Sequence, residues 1–177
     1  MKAHNGMRPH DIAVLLKIIS MDDGWLSKDV ASGLRVSASE VSESLNRSKI
    51  AGLLSPDKRK VMKSAFLDFI EYGLCYVFPA EPGALVRGIP TGHSAPILKD
   101  HFVSAEPYVW PSRSGNVKGQ AILPLYPNQI AAAQDDSHLY NMLTLIDAIR
   151  VGRRREVEKA VYLLKELFGS EYAREFS

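Results

Sequence analysis

Cysteine is nearly missing from this chain of 177 residues: Cys75 is the only one. A lone thiol excludes an intramolecular disulfide framework and a cysteine-rich zinc site. Long apolar runs are missing too. The longest are Ile12 to Leu16 and Leu74 to Phe78, far short of the roughly 20 residues of a membrane-spanning helix. The start of the chain is polar to Asp11, and Lys17 interrupts the apolar stretch after it. No secretory signal is expected, and the expected location is cytoplasmic. Charge of one sign is also scarce, with 22 Lys and Arg against 20 Asp and Glu. Any contact with a polyanion must rest on where the charges sit. No metal pattern appears: the histidines form neither H-x3-H nor H-E-x-x-H. No P-loop, G-x-G-x-x-G or G-x-S-x-G sequence occurs. No cofactor, metal or membrane partner is expected.

What is present is ordinary globular material, 46% hydrophobic and 24% charged. The prolines divide it. Eight of the ten lie between Pro79 and Pro127, with five of the twelve glycines. That stretch cannot be mostly helical, because proline removes a donor and clashes inside a helix. The flanks read as helices. The expected class is mainly α with small β parts (α+β). The expected division is residues 9–72, a Pro/Gly-rich module over 73–130, and a C-terminal helix pair over 136–168.

A first helix is expected from Pro9 to Ser20, with Pro9 in the first turn and Asp11 facing the positive helix end. Ile12, Leu15, Leu16 and Ile19 make its apolar stripe. Ser27 reads as the cap of a short second helix, Lys28 to Gly33. Ser37-Ala38-Ser39-Glu40 reads as a capping box opening a third helix, 38–51, with Val41 and Leu45 inward and Gly52 beyond its end. Leu53-Leu54 and Val61-Met62 flank a Pro-Asp turn, giving a hairpin over 55–62 with a basic tip. A fourth helix is expected over Lys63 to Tyr72, with Phe66, Phe69 and Ile70 on one face. Leu74 to Phe78 reads as a buried strand, with Cys75 as a small core residue.

Short strands are expected at Leu85–Arg87, Pro107–Trp110 and Gln120–Leu125, folded as hairpins and turns. Tyr108, Trp110 and Tyr126 read as packing partners of the prolines. Ser137 is expected to cap a helix striped by Leu139, Met142, Leu143, Ile146 and Ile149. A second stripe, Val157, Ala160, Val161, Leu164, Leu167 and Phe168, is expected after a break at Gly152. Stripes this wide call for a partner surface, either a second copy in an expected homodimer or the rest of the same chain.

The segment from Asp11 to Met62 resembles the winged helix-turn-helix family, such as the MarR-like bacterial regulators. Val30, Ala31, Leu34, Val36, Val41 and Leu45 carry the likeness: two short helices crossing at a small residue, a tight turn, then "AGLL" and a charged hairpin. The resemblance implies a transcriptional regulator on double-stranded DNA. The third helix would enter the major groove. Arg35, Ser37, Ser39, Ser42, Asn46 and Arg47 would contact DNA, and Lys58, Arg59 and Lys60 on the wing would hold phosphates. Glu43 shares that face and would meet phosphate repulsion unless it accepts from cytosine.

Two other features bear on function. Arg150, Arg153, Arg154 and Arg155 form the densest basic run, a candidate for phosphate contacts. The run Arg87-Gly88-Ile89-Pro90-Thr91-Gly92-His93-Ser94 reads as an exposed loop, with Arg87, Thr91, His93 and Ser94 available to a ligand or protein partner. The alternative to DNA binding is a protein-interaction adaptor on the same scaffold. An enzyme centred on His93 ranks last, so the protein is not expected to be an enzyme.

Overall fold

The computed structural model describes residues 5–103 and 106–169. It is mixed α and β, with eight α-helices and one three-stranded sheet among the described residues. The chain forms two compact units, each built from two stretches. One combines the residues through Phe66 with Leu125–Leu139, and the other combines Leu67–Pro124 with the chain from Tyr140 onward. Of the three crossings, those after Phe66 and Leu139 fall inside helices, and the one after Pro124 falls outside them.

In the first unit, α1 (Pro9–Ile19) packs on α2 (Ser27–Leu34) and α3 (Ala38–Ile50). Helix α1 is buried on more than one stripe: Ile12, Ala13, Val14, Leu15, Leu16 and Ile18 are all in the core. Each large side chain so buried contributes roughly 1.5–3 kcal/mol. The residue ahead of α2 is Leu26, and Ser27 is its first helical residue with no capping bond, so the expected Ser27 cap is not formed. Helix α2 ends on Arg35 in the left-handed conformation, φ 56°. Its last carbonyls are taken from outside the helix: Tyr126 Oη donates to Leu34 O at 3.0 Å, and Asn128 Nδ2 to Arg35 O at 2.7 Å. Helix α3 opens with the expected capping box. Glu40 N donates to Ser37 Oγ at 3.1 Å, and Ser37 N to Glu40 Oε2 at 2.7 Å. The hairpin is minimal, one antiparallel bridge between Leu54 and Val61. Helix α6 (Gln129–Gln134), which periodicity did not reveal, contacts α2.

Helix α4 (Lys63–Tyr72) has the expected bounds. Phe66, Leu67 and Ile70 are buried, while Phe69 is half-buried and edge-on to Phe78. Leu74–Val77 is a short helix, α5, and not a strand. Gly73 and Leu74 carbonyls take the following amides, so the apolar run closes a helical turn. Leu74 is buried, but Tyr76 and Val77 are exposed and Cys75 is only half-buried, not a core residue.

The second unit holds a closed three-stranded barrel: β1 (Leu85–Thr91), β2 (Tyr108–Pro111) and β3 (Val117–Ala121). The expected strands are present with shifted ends: β1 runs on to Thr91, and β3 starts and stops earlier than Gln120–Leu125. The first half of β1 pairs antiparallel with β3, the second half with β2, and β2 runs parallel to β3. A parallel pair cannot be the simple hairpin expected there. Gly88 and Gly115 make the crossing possible. A Cβ on Gly88 would lie 2.0 Å from Trp110 O, and one on Gly115 2.1 Å from Gly88 backbone atoms.

Helix α7 (Ser137–Val151) starts on Asp136, whose Oδ1 accepts from Leu139 N at 3.0 Å, so the cap is Asp136 and not Ser137. Helix α8 (Arg154–Phe168) follows the break at Gly152. The stripe of α7 is buried throughout. On α8, Ala160, Val161, Leu164 and Phe168 are buried, and Val157 and Leu167 are half-buried. The chain covers these stripes itself, so they give no argument for a dimer. No helix among the described residues is long and apolar enough to cross a membrane.

Candidate functional site

The outward side of α3 is polar. Ser39, Ser42, Glu43 and Asn46 are exposed on it, followed by Lys49 and Ile50. Val41, Ser44, Leu45 and Ser48 turn inward. Ser37 is exposed, but its hydroxyl and amide are both engaged in the capping box. The Ser37 amide, and then its hydroxyl, hold the Glu40 carboxyl below its ordinary range.

Arg47 does not belong to this face. Only 8% of it is exposed. Its Nε donates to Asp11 Oδ2 at 2.9 Å and its Nη2 to Asp11 Oδ1 at 2.8 Å. Asp11 is fully buried and also caps α1, accepting from Arg8 N at 2.8 Å. The bidentate bonds to Asp11 raise the Arg47 pKa above its ordinary value. Arg47 ties α3 to α1 and is unavailable to a base. The exposed neighbour Glu43 lies with its carboxylate 3.8 Å from Arg47 Nη1.

The hairpin tip is organised by its own side chains. Ser55 Oγ donates to Asp57 Oδ1 at 2.6 Å and accepts from the amides of Arg59 and Lys60. The Ser55 hydroxyl, then the Arg59 amide, lower the Asp57 pKa. Lys58, at φ 60°, donates through Nζ to Asn46 Oδ1 and so links the tip to α3. Arg59 is partly committed: its guanidinium lies 4.6 Å over the Trp25 ring and donates to Trp25 O at 2.8 Å, while Trp25 Nε1 donates back to Arg59 O at 3.1 Å. Lys60 is exposed. Arg35 is exposed and ion-paired with Asp135.

In the second unit the expected loop is not an exposed loop. Thr91 is fully buried at the end of β1 and donates to Asp147 Oδ2 at 2.7 Å. His93 is 6% exposed in a 3-10 turn (Gly92–Ser94), its Nε2 3.1 Å from Glu106 O, its Nδ1 3.5 Å from Glu156 Oε1, and its ring against Tyr108. Ser94 Oγ accepts from Tyr108 N at 2.9 Å. Among the described residues no hydrogen bond joins His93 to Ser94 or Thr91, so neither hydroxyl has a positioned base. The strand and turn bury what Gly and Pro suggested would be exposed. Only Arg87 of the four stays exposed.

The arginine run is also dispersed. Arg150 turns inward to Asp147 Oδ1 at 2.9 Å and to Phe78 O at 2.9 Å, so it is structural and not a phosphate contact. Asp147 is fully buried and also accepts from Trp110 Nε1 at 2.6 Å. Burial pushes its pKa up against the opposing pull of Arg150, Thr91 and Trp110. Arg153 begins α8 with its amide on Glu156, and Arg154 pairs with Glu158 at 3.0 Å. Arg155 lines an open hollow of about 470 Å3 with His101, Phe102 and Lys159.

The sequence reading overlooked Arg113 and Lys118. Both are exposed, and Lys118 is the cross-strand partner of Arg87. Strand register is the signal needed to see that pairing, and short proline-broken strands do not reveal it. Among the described residues no group of three or more His, Cys, Asp or Glu is placed to hold a metal ion. No protein-family model, curated protein or solved structure matches this chain.

Proposed function

We propose that the first unit is a winged helix-turn-helix head that binds double-stranded DNA, and that the protein is a transcriptional regulator of the MarR-like kind, acting in the bacterial cytoplasm. The observation that carries this reading is the exposed polar side of α3 with the basic hairpin tip tied beside it through Lys58 and Asn46. Ser39, Ser42 and Asn46 can donate to and accept from base edges, and a helix is the element that fits a major groove. Lys60 and the partly committed Lys58 and Arg59 supply phosphate contacts, which add affinity without sequence information. Arg47 has no direct role in this mechanism: it holds α3 in place.

Fluorescence polarisation of mixed-sequence duplexes, at several salt concentrations, tests the reading. The intact protein binds at low salt, and Lys60→Gln flattens the slope of log K against log salt by about 1. No binding to any duplex at low salt removes the regulator. Ile50, 67% exposed, and Met62, 46% exposed, favour a protein-docking role for the same face as the second reading.

A further inference from the structure

The barrel carries a basic face that the structure builds deliberately. Arg87 on β1 and Lys118 on β3 are directly opposite in an antiparallel pair. Their side chains therefore leave the sheet on the same side, and both are exposed. Like charges in that position repel and cost stability. The turn after β2 adds a third cation. Ser112 N donates to Arg87 O at 3.1 Å, Gly115 N to Ser112 O at 3.2 Å, and Ser114 N to Ser112 Oγ at 3.3 Å. Gly115 lets this turn lie against Gly88, at a separation no side chain would allow. Arg113 sits on the turn, and with Arg87, Pro111 and Ser112 it lines an open hollow of about 580 Å3. Among the described residues, none of the three cations belongs to an ion pair. Some surface cations elsewhere are paired, as at Arg154–Glu158 and Lys165–Glu71.

We propose that Arg87, Arg113 and Lys118 form a phosphate-binding face for the backbone of a nucleic acid, separate from the α3 surface of the first unit. Three cations on one face, with no carboxylate among the residues that line the hollow, raise the local potential and attract an anion. Arginine suits phosphate because its planar fork donates two bonds at once. The openness of the hollow selects the ligand class. Small-molecule sites enclose most of their ligand, whereas a polyanion needs only a row of cations and remains largely solvated. The like-charge pair is then a cost in the free protein that phosphate binding relieves.

This inference does not rest on the α3 reading, and one experiment separates the two. The full chain, the R87Q/R113Q/K118Q variant and the S42A/N46A/K60Q variant are titrated against a labelled mixed-sequence duplex across salt concentrations. Inorganic pyrophosphate is tested as a competitor. Loss of the three barrel cations is expected to weaken binding at least tenfold at low salt and to flatten the salt slope by about 2 to 3. Its melting temperature should equal or exceed that of the wild type, because a like-charge pair has been removed. That result stands even if the S42A/N46A/K60Q variant binds normally, in which case the α3 reading alone fails. An unchanged slope in the barrel variant overturns the inference. So does binding of pyrophosphate at these residues with no effect on duplex affinity. If the triple variant melts below the wild type, R87Q/K118Q replaces it with an expected slope change of about 2, and no change overturns the inference.

Discussion

Among the described residues each unit has one buried Asp–Arg pair, and the two pairs are wired differently. In the first unit Asp11 and Arg47 come from different helices, 36 positions apart, and the bidentate bond itself joins α1 to α3. In the second unit Asp147 and Arg150 lie one turn apart on α7. Their bond joins no separate elements. The joining is done by neutral donors, Thr91 from β1 and Trp110 from β2, which converge on the Asp147 carboxylate, while Arg150 reaches on to the Phe78 carbonyl. The same two residue types thus serve as a direct tie in one unit. In the other, the carboxylate is a hub whose pKa burial raises against the opposing pull of the arginine.

This difference predicts unequal losses. Asp147→Ala leaves a mostly buried arginine without its partner and strips Thr91 and Trp110 of their acceptor. It should destabilise by at least about 3–5 kcal/mol, measured by urea unfolding followed through Trp110 fluorescence in a Trp25→Phe background. A loss under about 1 kcal/mol would show that the hub is not one. Arg47→Ala leaves Asp11 buried and unpaired, at a cost near the lower end of the same range, about 3 kcal/mol. Arg47→Lys should recover only part of it, because an ammonium cannot repeat the two-bond fork. If Arg47→Ala instead unfolds at the wild-type urea concentration but loses duplex binding, Arg47 faces DNA after all.

Acid should move the units in opposite directions. Asp136 is partly buried, which raises its pKa, but the Lys17 ammonium and the Leu139 amide outweigh burial and lower it. Glu40 is lowered by Ser37. Stability from these two carboxylates is fully present above their unfolded values near pH 4 and is lost as pH falls through the folded ones. Glu40 is exposed, so its share of the loss is small. Asp147 is raised. Between its folded and unfolded values the native carboxyl holds a proton that the unfolded chain has released, so its contribution grows as pH falls through the folded value. Peptide-resolved hydrogen exchange at pH 7 and pH 4.5 should show protection around Asp147 rising relative to that around Asp136. The smallest effect expected is Ser37→Ala, about 1 kcal/mol for the lost cap of α3, seen as a lower melting temperature with the fold unchanged.

Local chemistry was readable in the sequence where the cause was local. The capping box at Ser37 and Glu40, the bounds of α4 and the break at Gly152 depend on residues within a turn of one another. The failures have distant or ambiguous causes. Leu74–Val77 is four apolar residues, and a run that short does not distinguish strand from helical turn. Arg47 lies at the border of the polar side of α3, and a long side chain there goes to whichever partner exists. That partner, Asp11, is on another helix. Thr91 and His93 were read as exposed from the flanking glycines and prolines, yet those residues serve close backbone packing in a barrel. The Arg87–Lys118 pair needed the strand register.

We propose that the polar side of α3, and not Arg47, reads DNA. The most direct measurement starts with a duplex selected by the wild-type protein from a random pool. Discrimination between it and a scrambled duplex is then compared for the wild type and S42A/N46A at fixed salt. The double variant should lose about tenfold or more of its discrimination, since a good base contact is worth about 1–3 kcal/mol, while affinity for the scrambled duplex holds. Equal discrimination by the two proteins, or selection that yields no preferred duplex, would contradict it.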